Sequence, residues 1–183
     1  EAKYVTLEDN VQLPRLYLAY PSAAGFAPGD AELDVLGDIL ANGKNSRLYQ
    51  KLVYELGIAQ DVFAFQNSMA MDGMFLIVAT ARPDHTLDEV LNVIDEEIGR
   101  LHAAPPTERE LQRSVNQQET NFLRRFQGLL GKADAMNRYY YHTGNPDWAN
   151  EDISRYRALS PPDITAIAKR YLHPKRRVLI SIV

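Results

Sequence analysis

Apolar positions along this chain follow two periods, and the places where the period changes mark the elements. From Asp30 onward, Leu33, Leu36, Ile39 and Leu40 form a stripe at helical spacing, with Asp30 read as the cap. Leu48, Leu52 and Leu56 fall at i, i+4 and i+8, which predicts a short helix with all three leucines buried. Ser46 is placed as its N-cap, and Gly43 and Gly57 stand where helices end. Thr86 with Glu89 and Thr107 with Glu110 have capping-box spacing. The first box opens a helix that buries Leu87, Val90, Leu91, Ile94, Ile98 and Leu101. The second opens a long polar helix reaching about Phe126, with only Leu111, Val115 and Phe122 as an inward stripe. Helical pieces follow over 129–142 and 148–159. The last helix starts at Ser160-Pro161-Pro162-Asp163, with Ile164, Ile167, Ala168 and Tyr171 facing inward.

Residues 3–7, 15–20, 60–67, 74–82 and 177–183 instead read as strands. The run Met74 to Ala79 is apolar on both faces, as a central strand would be, and Asp72-Gly73 supplies the turn before it. Helices cluster rather than alternate with strands. The fold class is therefore α+β: a mostly antiparallel open sheet with helices packed on one face.

At 183 residues the chain fits a single domain. A net charge of −4 disfavours nucleic acid as a partner. The absence of cysteine excludes disulfides, thiolate nucleophiles and zinc–thiolate sites, and fits either a bacterial periplasm or a cytoplasm. No apolar run approaches the roughly 20 residues needed to span a bilayer, so a soluble chain without a transmembrane segment is expected. The start Glu1-Ala2-Lys3 is polar and lacks an initiator Met, so the chain is expected to be a fragment of a longer multi-domain protein.

Candidate chemistry is sparse. The histidines, His85, His102, His142 and His173, are scattered, and no two have the spacing that sets paired imidazoles on a helix for zinc. No metal site is expected in this chain. Asp95-Glu96-Glu97 reads as a solvated helix face, because adjacent helical residues splay apart. His142 and Asp152 lack the G-x-S-x-G elbow that a hydrolase triad would need. Of Tyr139-Tyr140-Tyr141, some rings are expected in the core and some at the surface. Arg124-Arg125 reads as a solvated face.

The stretch from Gly43 to Val62 carries a resemblance. Gly43, Ser46, Arg47, Leu48, Leu52, Gly57 and Ala59 match the pattern G-x-x-S-R-L-x-x-x-L-R-x-x-x-G-L-A-Y. That pattern resembles the hallmark of the C-terminal, non-zinc domain of pitrilysin/insulinase-type zinc metallopeptidases, which include the mitochondrial processing peptidases. The resemblance covers about Leu13 to Val183.

It implies that residues 1–183 are a single non-catalytic C-terminal peptidase domain. Zinc would belong to an upstream domain bearing H-x-x-E-H, where a metal-activated water attacks a peptide carbonyl with Glu as base. Several such domains would form a clamshell chamber that takes peptides or unfolded proteins. Family domains that complete an active site supply an Arg and, seven residues later, a Tyr; those positions here hold Val53 and Gln60, so no catalytic residue is expected in this chain. The Arg/Tyr pair would then come from a second half or subunit. Arg47 is read either as a substrate or interdomain contact or as a helix-start Arg paired with an acid such as Asp61. The alternatives are a structural, proteolytically inactive assembly subunit of the same family and an unrelated α+β ligand-binding module.

Overall fold

The computed structural model describes residues 2–183. In chain order the elements are β1 (Lys3–Leu7), β2 (Arg15–Ser22), α1 (Asp30–Leu40), a π-helical segment (Tyr49–Glu55), β3 (Ala59–Ser68), β4 (Gly73–Ala81), α2 (Leu87–Ala103), α3 (Glu108–Arg125), α4 (Leu129–Thr143), α5 (Ala149–Arg157), α6 (Pro161–Tyr171) and β5 (Val178–Ile182). The capping boxes at Thr86/Glu89, Thr107/Glu110 and Ser160/Asp163 all form. The cap of α1 differs from expectation. Gly29, at φ 102, is the N-cap, and Asp30 is the first helical residue. Its carboxylate accepts the Phe26 N–H at 2.8 Å and holds that residue at a left-handed φ of 62.

The strands form one sheet in the order β1-β5-β2-β4-β3. It is mixed: β3, β4, β2 and β5 run antiparallel to their neighbours, and β1 lies parallel to β5. A parallel neighbour needs a long crossover, and here nearly the whole chain separates the two strands. Parallel pairing of the two chain ends has no local sequence signature.

Strand alternation sorts the side chains into two faces. On the covered face, Leu16, Leu18 and Tyr20 of β2 and Phe75, Ile77 and Ala79 of β4 are essentially inaccessible. Against them lie α1, α2 and α6, with Leu33, Leu36, Ile39, Leu40, Val90, Ile94, Leu101, Ile164 and Ala168 buried. Leu91 is half-buried rather than buried. Helices α3 and α5 form an outer layer over α1, and α4 packs on α3.

Among the described residues no helix packs on the opposite face of the sheet. The strand registers place Val5, Ile180, Tyr17, Val78 and Phe63 in one row across all five strands. Val178, Ala19, Leu76 and Phe65 form the next row. Phe63 and Phe65 stack at 6.2 Å between centroids and are 41% and 42% exposed. Val5 and Leu7 on the far edge are also exposed. Val78, at the centre of the first row, is only 2% exposed, so the accessible apolar surface of this face lies toward its flanks on β3 and β1, where its clustering is of the kind that marks an interaction site.

Candidate functional site

The hallmark stretch is built on a turn wider than its leucine spacing suggested. Gly43 takes φ 83 after α1, and the buried Ser46 hydroxyl donates to the Gly43 carbonyl at 2.7 Å. From Tyr49 the backbone is π-helical: the Leu56 N–H bonds to the Lys51 carbonyl, five residues back. The wider turn brings Val53 into the core beside Leu48 and Leu52. Leu56, expected in the core, lies at the helix end and is 45% exposed. Gly57 then takes φ 66 and releases the chain into β3.

Arg47 does not pair with Asp61. Its guanidinium grips Glu110 in a bidentate pair, with Nε donating to Oε1 at 2.6 Å and Nη2 to Oε2 at 3.0 Å. The same carboxylate closes the capping box of α3 by accepting the Thr107 N–H at 2.8 Å. Burial alone would raise the Glu110 carboxyl, but the hydrogen bonds from Arg47 and Thr107 outweigh it and hold the group down at about 2. Arg47 therefore fastens the hallmark stretch to the start of α3.

The two positions to which the resemblance assigns an Arg and a Tyr have different surroundings. Val53 is 9% exposed and packs in the core. Gln60 is exposed and sits in a bulge, where the pairing of β3 with β4 slips between Ala59 and Asp61. It lines a groove of about 440 Å³ with Arg15, Tyr17 and Thr80, at one end of the open sheet face. Arg15 Nε donates to the Thr80 hydroxyl at 3.1 Å.

Other sequence candidates resolve into structural contacts. Asp95 is not part of a solvated face: Arg177, itself only 5% exposed, grips it in a bidentate pair and also donates to the Tyr20 hydroxyl at 3.2 Å. Glu97 is buried and pairs with Arg100 at 2.5 Å. Only Glu96 of that run is solvent-facing. The reading failed because Arg177 lies 82 residues away. Tyr139 is buried and donates to Asp152 at 2.7 Å, whereas Tyr140 and Tyr141 are exposed. Asp152 also accepts from Arg155 at 2.5 Å, and His142 instead packs at a tilt against Phe26, 5.1 Å between ring centroids. Arg124 and Arg125 are exposed.

Among the described residues no group of three or more His, Asp or Glu side chains could hold a metal. His102 contacts the Ala168 carbonyl, His173 Nδ1 accepts the Lys175 N–H, and His85 lies by Glu89. The donor set does not fit a zinc site, so no metal step runs through these residues. Among the described residues no helix is long and apolar enough to cross a membrane.

Comparison with known proteins follows the same lines. Residues 1–118 match the family model described as the peptidase M16 inactive domain. An uncharacterised zinc protease of Streptomyces coelicolor is 27% identical over 154 residues, covering 82% of this chain and 32% of that protein. A protease from Helicobacter pylori superposes over 100% of this chain and 44% of its own, with TM-score 0.89 at 19% identity. A peptidase M16 inactive domain from Pseudomonas fluorescens does so over 100% and 43%, with TM-score 0.84 at 17% identity. The chain thus spans less than half the length of each of these relatives.

Proposed function

Because this chain belongs to the family of peptidase M16 inactive domains, we propose that it is the non-catalytic partner domain of a zinc-dependent metalloendopeptidase acting on peptides or unfolded proteins. In this reading the zinc site, with its H-x-x-E-H motif, lies in an upstream domain of the parent chain. A second half or subunit supplies the Arg/Tyr pair that Val53 and Gln60 do not. The present domain contributes a wall of the chamber and the surface that docks it.

The observation that carries this reading is the uncovered apolar sheet face. Its exposed apolar residues, Val5 and Leu7 on β1 and Phe63 and Phe65 on β3, are costly to leave in water, at about 25 cal/mol per Å² of apolar surface. Relatives that are two to three times longer carry chain that could cover it. Arg47 has a structural role in this scheme, holding the hallmark stretch to α3.

A direct test compares the isolated domain with its parent. After dialysis the isolated domain should retain no stoichiometric zinc and cleave no fluorogenic peptide, while the parent does both. Stoichiometric zinc in the isolated domain, or turnover that co-purifies with it and is lost in a point variant of this chain, would sink the proposal.

The second reading is a structural assembly subunit of the same family that has lost proteolysis. The burial of Val53 and the uncharged Gln60 favour it over a domain that completes an active site. It takes first place if the parent neither binds zinc nor cleaves peptides.

A further inference from the structure

A polar cavity of about 290 Å³ lies between α1, β3, α3, α4 and α5. That is the liquid volume of about ten water molecules and close to the lower end of the roughly 300–1,000 Å³ of small-molecule sites. Its charged lining is balanced: the aspartates are Asp30, Asp34 and Asp152, and the arginines are Arg125, Arg138 and Arg155.

Part of this lining is closed on itself. Arg155 bridges Asp30 at 3.2 Å and Asp152 at 2.5 Å, and the Tyr139 hydroxyl donates to Asp152 at 2.7 Å. The other part is not. Asp34 accepts one hydrogen bond, from the Tyr156 hydroxyl at 2.7 Å. Burial pushes its carboxyl up to about 7, the Tyr156 bond opposes that by favouring the charged form, and a cation beside it would act in the same direction. Arg125 and Arg138 form no ion pair among the described residues, with Asp34 or with any other acid. Both are exposed, so the cavity opens to solvent on their side. The Arg138 and Arg155 guanidiniums each lie 5.1 Å from the centre of the Phe26 ring, which gathers two cations at one wall.

Two buried polar atoms of the lining also lack a protein partner. Gln66 Nε2 donates to the Ala23 carbonyl and to Asp30, both at 3.1 Å, and this fixes which way the amide points. Its Oε1 is then a buried acceptor without a donor, and Arg155 Nε is a buried donor without an acceptor.

We propose that this cavity binds a small zwitterion, an α-amino acid or dipeptide with free ends. Its ammonium is held by Asp34 and Gln66 Oε1, and its carboxylate by Arg125, Arg138 and the free Nε of Arg155. Charge balance selects this class. A simple anion would serve the arginines and leave Asp34 and Gln66 without a donor; a simple cation would do the reverse. A zwitterion serves both ends and leaves the balance of the lining unchanged. The assignment does not rest on any role of the domain in proteolysis.

Titration of the 183-residue chain with L-alanine, Ala-Ala, Ala-Lys, Ala-Glu and Ala-Phe, read by calorimetry, tests it. At least one should bind with a Kd of about 1 mM or tighter. For the best of them, N-acetylation and C-amidation should each weaken binding about tenfold or more, the effect of losing a charged hydrogen-bond partner. Arg125→Gln/Arg138→Gln, at two exposed positions, should weaken the free ligand by a similar factor and leave its C-amidated form unaffected. Asp34→Asn should weaken the free ligand and leave its N-acetylated form unaffected. No ligand of the set binding at about 1 mM or tighter, capped forms that bind as well as the free one, or inorganic phosphate binding more tightly than the best of the set would overturn the proposal.

Discussion

Replacing Asp95 by Ala is expected to destabilise this domain by about 3–5 kcal/mol, the range found when one partner of a buried ion pair is removed. Arg177 follows α6 at the start of β5, and its side chain is 4% exposed. Burial works against its charge, but bonds to Asp95 and Tyr20 hold it protonated. Asp95 is the more accessible partner, at 33%, which places the expected loss toward the lower end of that range. Without Asp95, a guanidinium with an already unpartnered Nε remains buried at the entry to the interior strand β5 with only a phenol for company. The double variant Asp95→Ala/Arg177→Leu should recover much of the loss, because an apolar side chain needs no counter-charge. Urea unfolding with an unchanged m-value reads both. A loss below about 0.5 kcal/mol in the single variant, the scale of surface substitutions, would mean that the pair is not formed in solution.

Leu52→Ala should cost about 2–5 kcal/mol, whereas Leu56→Ala should cost less than about 0.5 kcal/mol. Leu52 is fully buried in the π-helical segment, and truncating it leaves a cavity among Leu48, Val53 and the sheet. Leu56 is 45% exposed. The contrast discriminates between backbones. A regular α-helix over the hallmark would give both leucines comparable burial, and comparable losses would show that the wide turn is not present.

The leucines also mark how far the sequence could be read. Signals completed within a few residues were legible. The boxes at Thr86/Glu89 and Thr107/Glu110 were set by local hydrogen-bond geometry and formed as expected, and Ser160 stands at the N-cap of α6 with Asp163 at N3. Gly43 and Gly57 stood where φ had to turn positive. The glycine, serine and leucine order of the hallmark was enough to place the chain in its family.

What was not legible depends on distance or on backbone width. Leu48, Leu52 and Leu56 match helical spacing, but spacing does not say whether a hydrogen bond closes over four residues or five. Arg47 found Glu110 rather than Asp61 because α3, 63 residues on, packs across the start of the hallmark. The same distance problem hid Arg177 from Asp95 and β1 from β5. The open sheet face was not legible: which face lacks helices depends on how distant helices pack, not on any one strand.

The central claim is that this domain docks through its uncovered sheet face onto the rest of its parent, and hydroxyl-radical footprinting of both forms tests it most directly. Tyr17, Phe63, Phe65 and Ile180 should be labelled in the isolated domain and protected in the parent, while Phe75, beneath the helices, stays unreactive in both. Equal labelling of Phe63 and Phe65 in the two forms would contradict the account.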